Sequence, residues 1–292
     1  MVSLEKEDWC EEVYSQLYKV LRKKASLTEV FDPQAAIQGL SATPRPDAVL
    51  VSDAAITSEE NLDVLTALVA YARAGGTVVL GMQFSNHLPL DRSRAFFTRW
   101  GLPQWGPGSY HRTTFVPNPA GVPTPLDSHA LLPSYSMKAV HIKGAARGDA
   151  VYLPTASSRV ESHVFAPSRI TGAQAEESPA LFARVGQGHL GYTGDVNGEQ
   201  GTTRLLLEMC GVKVNPGDMG SRTYSTGITV SQGRVTSQTA TDDEISLPSR
   251  PPVPRPRESE VTARRATRES VKRQKTEQAD ALKNEVPLYH HP

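Results

Sequence analysis

The sequence has little cysteine, no net charge and no long hydrophobic run. Its 292 residues include two cysteines, Cys10 and Cys210, too few for a disulfide framework or a cysteine-rich zinc site. Lys and Arg together number 31, as do Asp and Glu, which disfavours binding to nucleic acid through overall basic charge. No apolar run approaches the ~20 residues that span a bilayer, and residues 1–8 lack the apolar core of a signal peptide. These absences predict a soluble intracellular protein in a reducing compartment, with no membrane partner.

Aromatic residues are scarce in the last quarter of the chain. Seventeen of the 19 lie before residue 218, and because each can bury a large apolar area, they predict an α/β domain over residues 1–216. Residues 217–258 are rich in Pro, Ser and Arg, which predicts a disordered linker. Residues 259–285 lack Gly and Pro and have almost no apolar face, which favours an exposed charged helix, and residues 286–292 are predicted to form a disordered end.

The tail carries a basic segment. The stretch from Arg250 to Lys275 contains nine Lys or Arg residues and three acidic ones, which gives a local net charge of +6. The pattern favours a solvated helix, since no aromatic residues interleave to stack on bases, and a nucleic-acid partner is disfavoured. Nuclear import or nucleic-acid contact through this patch remains an alternative, which would place the protein in the nucleus as well as in the cytoplasm. The patch consists of Arg264, Arg265, Arg268, Lys272 and Arg273.

The first 82 residues alternate between helix and strand patterns. Apolar residues recur at helical spacing over residues 8–24, and a short strand is predicted over Leu27 to Phe31. Asp47 to Asp53 and Thr77 to Met82 are apolar runs typical of strands covered on both faces. Ser58 caps a helix between them, so the pattern predicts a right-handed parallel crossover. The fold class predicted is α/β, a three-layer flavodoxin-like, mostly parallel sheet with antiparallel β-rich additions and a disordered or helical tail.

The second half of the domain has a different pattern, in which predicted strands follow one another without helices between them. Six strand-like segments are separated by Pro and Gly turns, and a helix over Gln200 to Cys210 closes the domain. The antiparallel additions are expected to include a β-rich insertion between Trp105 and Pro167. The six segments are His111 to Val116, Lys138 to Lys143, Ala150 to Leu153, Val160 to Phe165, Ala180 to Val185 and His189 to Asp195.

The run from Asp47 to Gln83, with a helix that ends in Ala74-Gly75-Gly76, resembles the core of the class I glutamine amidotransferase-like superfamily. The segment Ala183 to Asp195 resembles the hairpin and strand found in non-catalytic branches of that superfamily. The whole domain, including Gly108 to Thr114, is similar to the N-terminal region of uncharacterised fungal proteins in which this domain precedes tetratricopeptide repeats. The resemblance covers about 215 residues and implies a layered scaffold with a reactive centre at the carboxyl end of a strand.

The resemblance also implies that this reactive centre is missing. An active amidotransferase carries its cysteine on a strained strand-to-helix elbow, and here the aligned turn, Gly81 to Ser85, places Gln83 where the thiol should be. The matching C-terminal strand end, Gly194 to Glu199, has no His-x-Glu partner. The segment Gly186 to Gly191 matches the Gly-x-Gly-x-x-Gly motif of dinucleotide-binding sites, but a strand pattern follows it where that motif requires a helix. The sequence therefore predicts no glutaminase activity and no cofactor.

Two candidate sites remain. A serine hydrolase would use Ser85 as nucleophile with His87 or His111 as base, and the candidate triad is Ser85, His111 and Asp195. A small-molecule pocket would combine Asp53 and Gln83 with the polar cluster on the following loop, Tyr110, His111 and Arg112. The histidines before the tail lack the close pairing of many zinc ligands, so no metal site is predicted.

The two ends of the chain add an expectation about its organisation. Glu277 to Glu285 resembles the opening of a tetratricopeptide repeat, a match that breaks after Glu285, and Met1 to Glu5 resembles the second half of a first strand. We therefore expect a truncated or rearranged product. The function predicted is a non-catalytic accessory or protein-interaction module with an unidentified protein partner. The alternatives are a small-molecule hydrolase or enzyme of a fungal secondary-metabolite pathway and, more weakly, a nuclear or nucleic-acid-associated protein.

Overall fold

A computed structural model of the chain describes residues 1–162 and 166–219. The predicted linker beyond residue 219, the charged helix over 259–285, the end over 286–292 and the basic patch (Arg264, Arg265, Arg268, Lys272 and Arg273) lie outside the described residues. Among those that are described, no helix combines the length and the apolarity needed to cross a bilayer.

The described chain contains seven α-helices and nine strands. The helices are α1 (Cys10–Val13), α2 (Ser15–Lys24), α3 (Pro33–Leu40), α4 (Leu62–Arg73), α5 (Phe84–His87), α6 (Ser93–Arg99) and α7 (Gln200–Met209). The strands are β1 (Ala48–Val51), β2 (Thr77–Leu80), β3 (Gly106–Pro117), β4 (Tyr135–Lys143), β5 (Ala150–Pro154), β6 (Arg159–Val160), β7 (Ser168–Arg169), β8 (Ala180–Val185) and β9 (Gly188–Thr193).

The α/β fold is confirmed, and one half of its main sheet is parallel. The seven-stranded sheet has the order β1-β2-β9-β8-β5-β3-β4, in which β1, β2 and β9 run parallel. Val2 forms parallel bridges to Val30 on one side and Val51 on the other, so two short segments extend this half beyond β1. Counted along the chain, the five positions have the order 2-1-3-4-5, which is the flavodoxin-like arrangement.

The other half is antiparallel and is larger than the sequence pattern indicated. Strands β9, β8, β5, β3 and β4 pair antiparallel in succession. Strand β4 then returns to the start of this series, because Ala139 bridges Asp195 and Ile142 bridges Ser178. The antiparallel half is therefore closed on itself. Gly186 and Gln187 form the β8–β9 turn, which confirms that this glycine-rich stretch is a hairpin.

Helices cover both faces of the parallel half, which gives three layers. One core cluster contains Val49 and Val51 with side chains from α3, α4 and α6. The other contains Leu50 with side chains from α2 and α7. The alternation along β1 explains this division, since successive strand residues point to opposite faces. Covering both faces requires the uninterrupted apolar runs that the sequence contains.

Three predicted elements differ from the structure. The helix predicted over 8–24 is interrupted at Tyr14, which separates α1 from α2. The strand predicted over 27–31 is a single bridge at Val30. The strand predicted over Val160 to Phe165 is only Arg159–Val160, followed by a bridge from Glu161 to Arg112, and residues 163–165 lie outside the described residues.

Candidate functional site

The link between β2 and α5 is a strained elbow. Met82 has φ 55°, a left-handed conformation that is costly for a residue with a side chain, and it is the one non-glycine residue with positive φ in the described ranges. Gly81 N–H donates to Val51 C=O at 3.1 Å and Gln83 N–H to Ser52 C=O at 2.8 Å, so β1 holds both ends of the turn. The strained position is thus Met82, one residue before Gln83, the position at which the resemblance to the amidotransferases would place the thiol.

Gln83 is buried, and each end of its amide has a hydrogen-bond partner. Its Nε2 donates to Tyr14 Oη at 2.9 Å, and its Oε1 accepts from Asn86 Nδ2 at 2.7 Å. Tyr14 comes from the break between α1 and α2, so this break places a phenol directly over the elbow. Burial raises the pKa of Tyr14, and the nearby Asp195 raises it further. The space beside the elbow is therefore filled by a neutral side chain that sequence reasoning had assigned to a regular helix.

The Tyr14–Gln83 contact gives a first prediction. The variant Tyr14→Phe is expected to lower the free energy of unfolding by about 2 kcal/mol, because it leaves the buried Gln83 amide without an acceptor. Urea denaturation with an unchanged m-value measures the loss. Tyr110→Phe is the control, since Tyr110 is 56% exposed and should leave stability unaffected. A Tyr14→Phe protein as stable as this control would contradict the role given to the contact.

Ser85 and Asp195 are neighbours, but not as a catalytic pair. Both are buried, and Ser85 Oγ donates to the backbone oxygen of Asp195 at 3.1 Å. The Asp195 carboxylate accepts the N–H groups of Asn197 at 2.9 Å and Glu199 at 2.6 Å, which secures the turn before α7. Burial raises the pKa of Asp195, and these hydrogen bonds, with one from Thr202, oppose the rise. Both side chains therefore serve the local backbone.

Asp53 lies at the carboxyl end of β1, next to the elbow. Its carboxylate accepts the Ala55 N–H at 3.2 Å and the Ser52 hydroxyl at 3.1 Å. Burial raises its pKa, and hydrogen bonds from the backbone of Ala55 and Glu5 and from Ser52 oppose the rise. The position at the strand end agrees with the sequence prediction, whereas the hydrogen bonds are those of a cap for the following 3-10 helix, Ala54–Thr57.

The predicted cluster Tyr110, His111 and Arg112 is divided between different surroundings. Tyr110 is exposed and lies under Lys138 Nζ, 5.1 Å from the ring centroid. Arg112 binds Glu199 Oε1 at 2.5 Å and so joins the network that includes Asp195. His111 points to the opposite face of β3 from its two neighbours, as strand alternation requires. The three side chains therefore do not form one pocket with Asp53 and Gln83.

His111 belongs to a buried cluster that sequence reasoning missed. Its ring stacks on His141 with centroids 4.2 Å apart, and its Nδ1 lies 3.0 Å from Ser109 Oγ. The Ser109 hydroxyl donates to Glu177 Oε2, which also accepts the Ser109 N–H at 2.7 Å. Because that hydroxyl proton is directed to Glu177, the Oγ receives the Nδ1–H of His111. His141 Nδ1–H in turn donates to the backbone oxygen of Ser109 at 2.9 Å.

These bonds leave the same ring atom of both histidines without a partner. His111 Nε2 and His141 Nε2 are buried and have no hydrogen bond. Burial lowers the pKa of His111, and it lowers the pKa of His141 to about 4, with His111 as the second cause. Both imidazoles are therefore neutral at pH 7. The two rings lie on one face because the β3–β4 register pairs His111 with Ala139, two residues before His141, and the sequence pattern does not specify that register.

The assembled geometry does not contain the predicted serine triad. No hydrogen bond in the part of the chain that the structure describes joins Ser85 to an imidazole, and His111 is bound to Ser109 instead. Among the same residues, no group of three or more His, Cys, Asp or Glu side chains is placed to hold a metal ion. Two clefts, of about 200 and 1160 Å³, are lined by other residues than Asp53, Gln83, Ser85 and Asp195.

Comparisons with known proteins assign neither a family nor an activity. No family model and no curated protein matches the chain. Similar solved structures include a beta-galactosidase from Bacillus circulans sp. alkalophilus, with 13% identity over 69% of this chain and a TM-score of 0.39. They also include Gan42B, a GH42 beta-galactosidase from G. stearothermophilus, with 14% identity over 72% of this chain and a TM-score of 0.38. The chain spans 27% of the length of each.

Proposed function

We propose that residues 1–219 form a non-catalytic accessory or protein-interaction module on a scaffold similar to that of the class I glutamine amidotransferases. The observation that carries the proposal is the elbow. Its left-handed turn is kept, but the strained residue is Met82, whose thioether is buried in the core, and Tyr14 fills the adjacent space. A thioether has no proton to lose and is no acyl-transfer nucleophile, so the backbone geometry of an elbow is present without its chemistry.

A hydrolase remains the second candidate function, because one hydroxyl does lie beside an imidazole and a carboxylate. Ser109 is half-buried and contacts both His111 and Glu177. The arrangement differs from a serine triad, since the carboxylate accepts from the serine and not from the histidine. In that arrangement His111 donates to Ser109 Oγ, so it is not placed to remove the hydroxyl proton.

Turnover measurements test the proposal. The purified 292-residue protein is expected to release no ammonia from glutamine, to leave p-nitrophenyl esters intact and to resist a fluorophosphonate probe. An active class I glutamine amidotransferase and a serine esterase, assayed in parallel, are the positive controls. Turnover or labelling that is lost in Ser85→Ala or in Ser109→Ala would overturn the non-catalytic assignment, and the variant that loses it would identify the nucleophile.

A further inference from the structure

Of the two clefts in the described part of the chain, the smaller lies between α4 and α6 and has a volume of about 200 Å³. One wall is the start of α4 with residues 57–59 before it, and the other is α6 with the connection from α5. Both connections leave the carboxyl ends of strands, β1 and β2 respectively. Ligand sites of α/β domains are built from such connections. We call this site the α4–α6 cleft.

The α4–α6 cleft has a rigid apolar floor. Leu65, Leu88 and Phe96 line it and are at most 5% exposed. Three further rings, with centroids 5.2 to 6.2 Å from that of Phe96, hold this side chain in place; they belong to Phe84, Phe97 and Trp100. A floor that is already ordered can bind the apolar part of a ligand with little loss of side-chain entropy.

The polar groups at the cleft are mostly donors without acceptors. The Arg99 guanidinium forms no hydrogen bond or ion pair with any other described residue. Arg92 has a single ion pair, from Nε to Asp91 Oδ2 at 3.8 Å, and both side chains are largely exposed. Ser58 Oγ accepts from Asn61 Nδ2 at 3.1 Å, and no described residue accepts the Ser58 hydroxyl proton. The cleft therefore offers two guanidinium groups and a hydroxyl to an acceptor.

The charges at the cleft favour a ligand with one negative charge. Arg92 and Arg99 stand at the two ends of α6 and both line the cleft. Glu59 is the one acidic residue of the lining, and it has no ion pair with either arginine. The lining thus has a net charge of +1, which attracts an anion. The Glu59 carboxylate opposes a second negative charge on the ligand.

We propose that the α4–α6 cleft binds a small monocarboxylate with an apolar body. The carboxylate accepts from the two arginines and Ser58, since the planar guanidinium matches a carboxylate, and the body lies on the apolar floor. Sites for drug-sized ligands have volumes of about 300–1,000 Å³, so this smaller cleft limits the ligand to about the size of one amino acid. The site goes beyond the proposed function, because it needs neither a partner protein nor a reaction.

A fluorinated acid and its amide test the proposal. The probe is para-fluorophenylpropionate, and its affinity for the 292-residue protein is measured by fluorine NMR titration. The primary amide of the same acid keeps the shape and loses the charge, so it should bind about fivefold more weakly. Equal affinity for acid and amide would overturn the proposal. Tighter binding of para-fluorophenyl phosphate would show a site for dianions and overturn the assignment of a monocarboxylate.

Arginine variants test the role of the two cations. Arg92→Gln and Arg99→Gln should each weaken the binding of the acid about threefold and change that of the amide little, because the lost interaction is between charges. Arg147→Gln is the control, since Arg147 is exposed and lies outside the cleft. Loss of affinity in this control to the same degree would show that the acid responds only to the overall charge of the protein and would overturn the proposal.

Two alanine variants locate the binding. Ala95 is an exposed residue of α6 that lines the cleft, so Ala95→Leu should fold, fill the cleft and weaken the binding of the probe at least about tenfold. Ala70 is an exposed residue of α4 outside the cleft, and Ala70→Leu should change the affinity by less than about twofold. Unchanged binding to Ala95→Leu would overturn the location.

Two further results would overturn the proposal. One is the absence of any change in the fluorine signal at about 10 mM probe, a concentration that detects weak binding. The other is binding of acetyl-Gly-Phe, with a free terminal carboxylate, more than about tenfold more tightly than the probe, which would identify the C-terminus of a protein as the occupant. Both results would leave the non-catalytic assignment standing, because turnover decides that assignment.

Discussion

Replacing Gly194 with alanine is expected to lower the free energy of unfolding by about 4 kcal/mol. A Cβ on Gly194 would lie 1.9 Å from the carbonyl oxygen of Val140, and backbone cannot give way as a flexible side chain can. The same contact closes the antiparallel half of the sheet. Val140 N–H donates to Gly194 C=O at 2.9 Å, and Tyr192 Oη donates to Val140 C=O at 2.9 Å. Strand β4 would have to withdraw from β9, and both hydrogen bonds would be lost.

The measurement is urea denaturation of Gly194→Ala beside Gly148→Ala. Gly148 has no heavy atom within 4 Å of an added Cβ, so its variant should have nearly the stability of the starting protein. The closure also brings Ala139 against Asp195, and the Asp195 backbone oxygen holds Ser85. A loss of less than about 1 kcal/mol in Gly194→Ala would mean that the closure is loose and does not fix the elbow region.

The parallel half of the sheet was predictable because its signals are local. Ala48–Val51 and Thr77–Leu80 are uninterrupted apolar runs, and the helix between them carries its apolar stripe at regular spacing. Short connections between a strand, a helix and a strand leave little choice of topology. The order β1, α4, β2 therefore followed from the sequence, whereas α3 (Pro33–Leu40), which covers one face of this half, was not predicted.

The closure of the antiparallel half depends on contacts between residues distant in the chain. The bridges Ala139–Asp195 and Ile142–Ser178 join residues that are 36 to 56 positions apart. The hydrophobic periodicity of a strand does not predict such a pairing, because it specifies which face of the strand is buried and not which strand lies beside it. The sequence predicted strands in this region but not the return of β4 to β8 and β9.

At the elbow, too, the sequence predicted the turn but not the role of each residue in it. The turn was located correctly between β2 and α5, and its lack of a nucleophile follows from the residue types alone. Which residue takes the left-handed conformation depends on how the flanking N–H groups meet β1, and the structure gives Met82. Tyr14, the side chain that covers the elbow, lies at a break between two helices. The break could not be predicted, because no Gly or Pro marks it and the surrounding residues are all compatible with a helix.

The buried histidine pair predicts a loss of stability in mild acid. Unfolded histidine has a pKa near 6.5, whereas burial lowers that of folded His141 to about 4. Between these values the unfolded chain takes up a proton that the folded chain does not, so the free energy of unfolding falls as the pH falls. The contribution of His141 is fully present above pH 6.5, declines by about 3 kcal/mol between pH 6.5 and pH 4, and does not change further below pH 4.

The contribution of His141 is isolated by comparing how the free energy of unfolding depends on pH in His141→Gln and in the starting protein. His141→Gln lacks the titrating ring, so its free energy of unfolding should fall less steeply than that of the starting protein over this pH range. Asp53 and Asp195 have raised pKa values in the folded state, which adds stability as the pH falls, but both are present in both proteins and cancel in the difference. His129→Gln makes the same change at an exposed position and is the control for the substitution itself, so it should have nearly the stability of the starting protein at pH 7. Parallel curves for His141→Gln and the starting protein would mean that folded His141 accepts a proton as readily as the unfolded chain does, through its unpartnered Nε2.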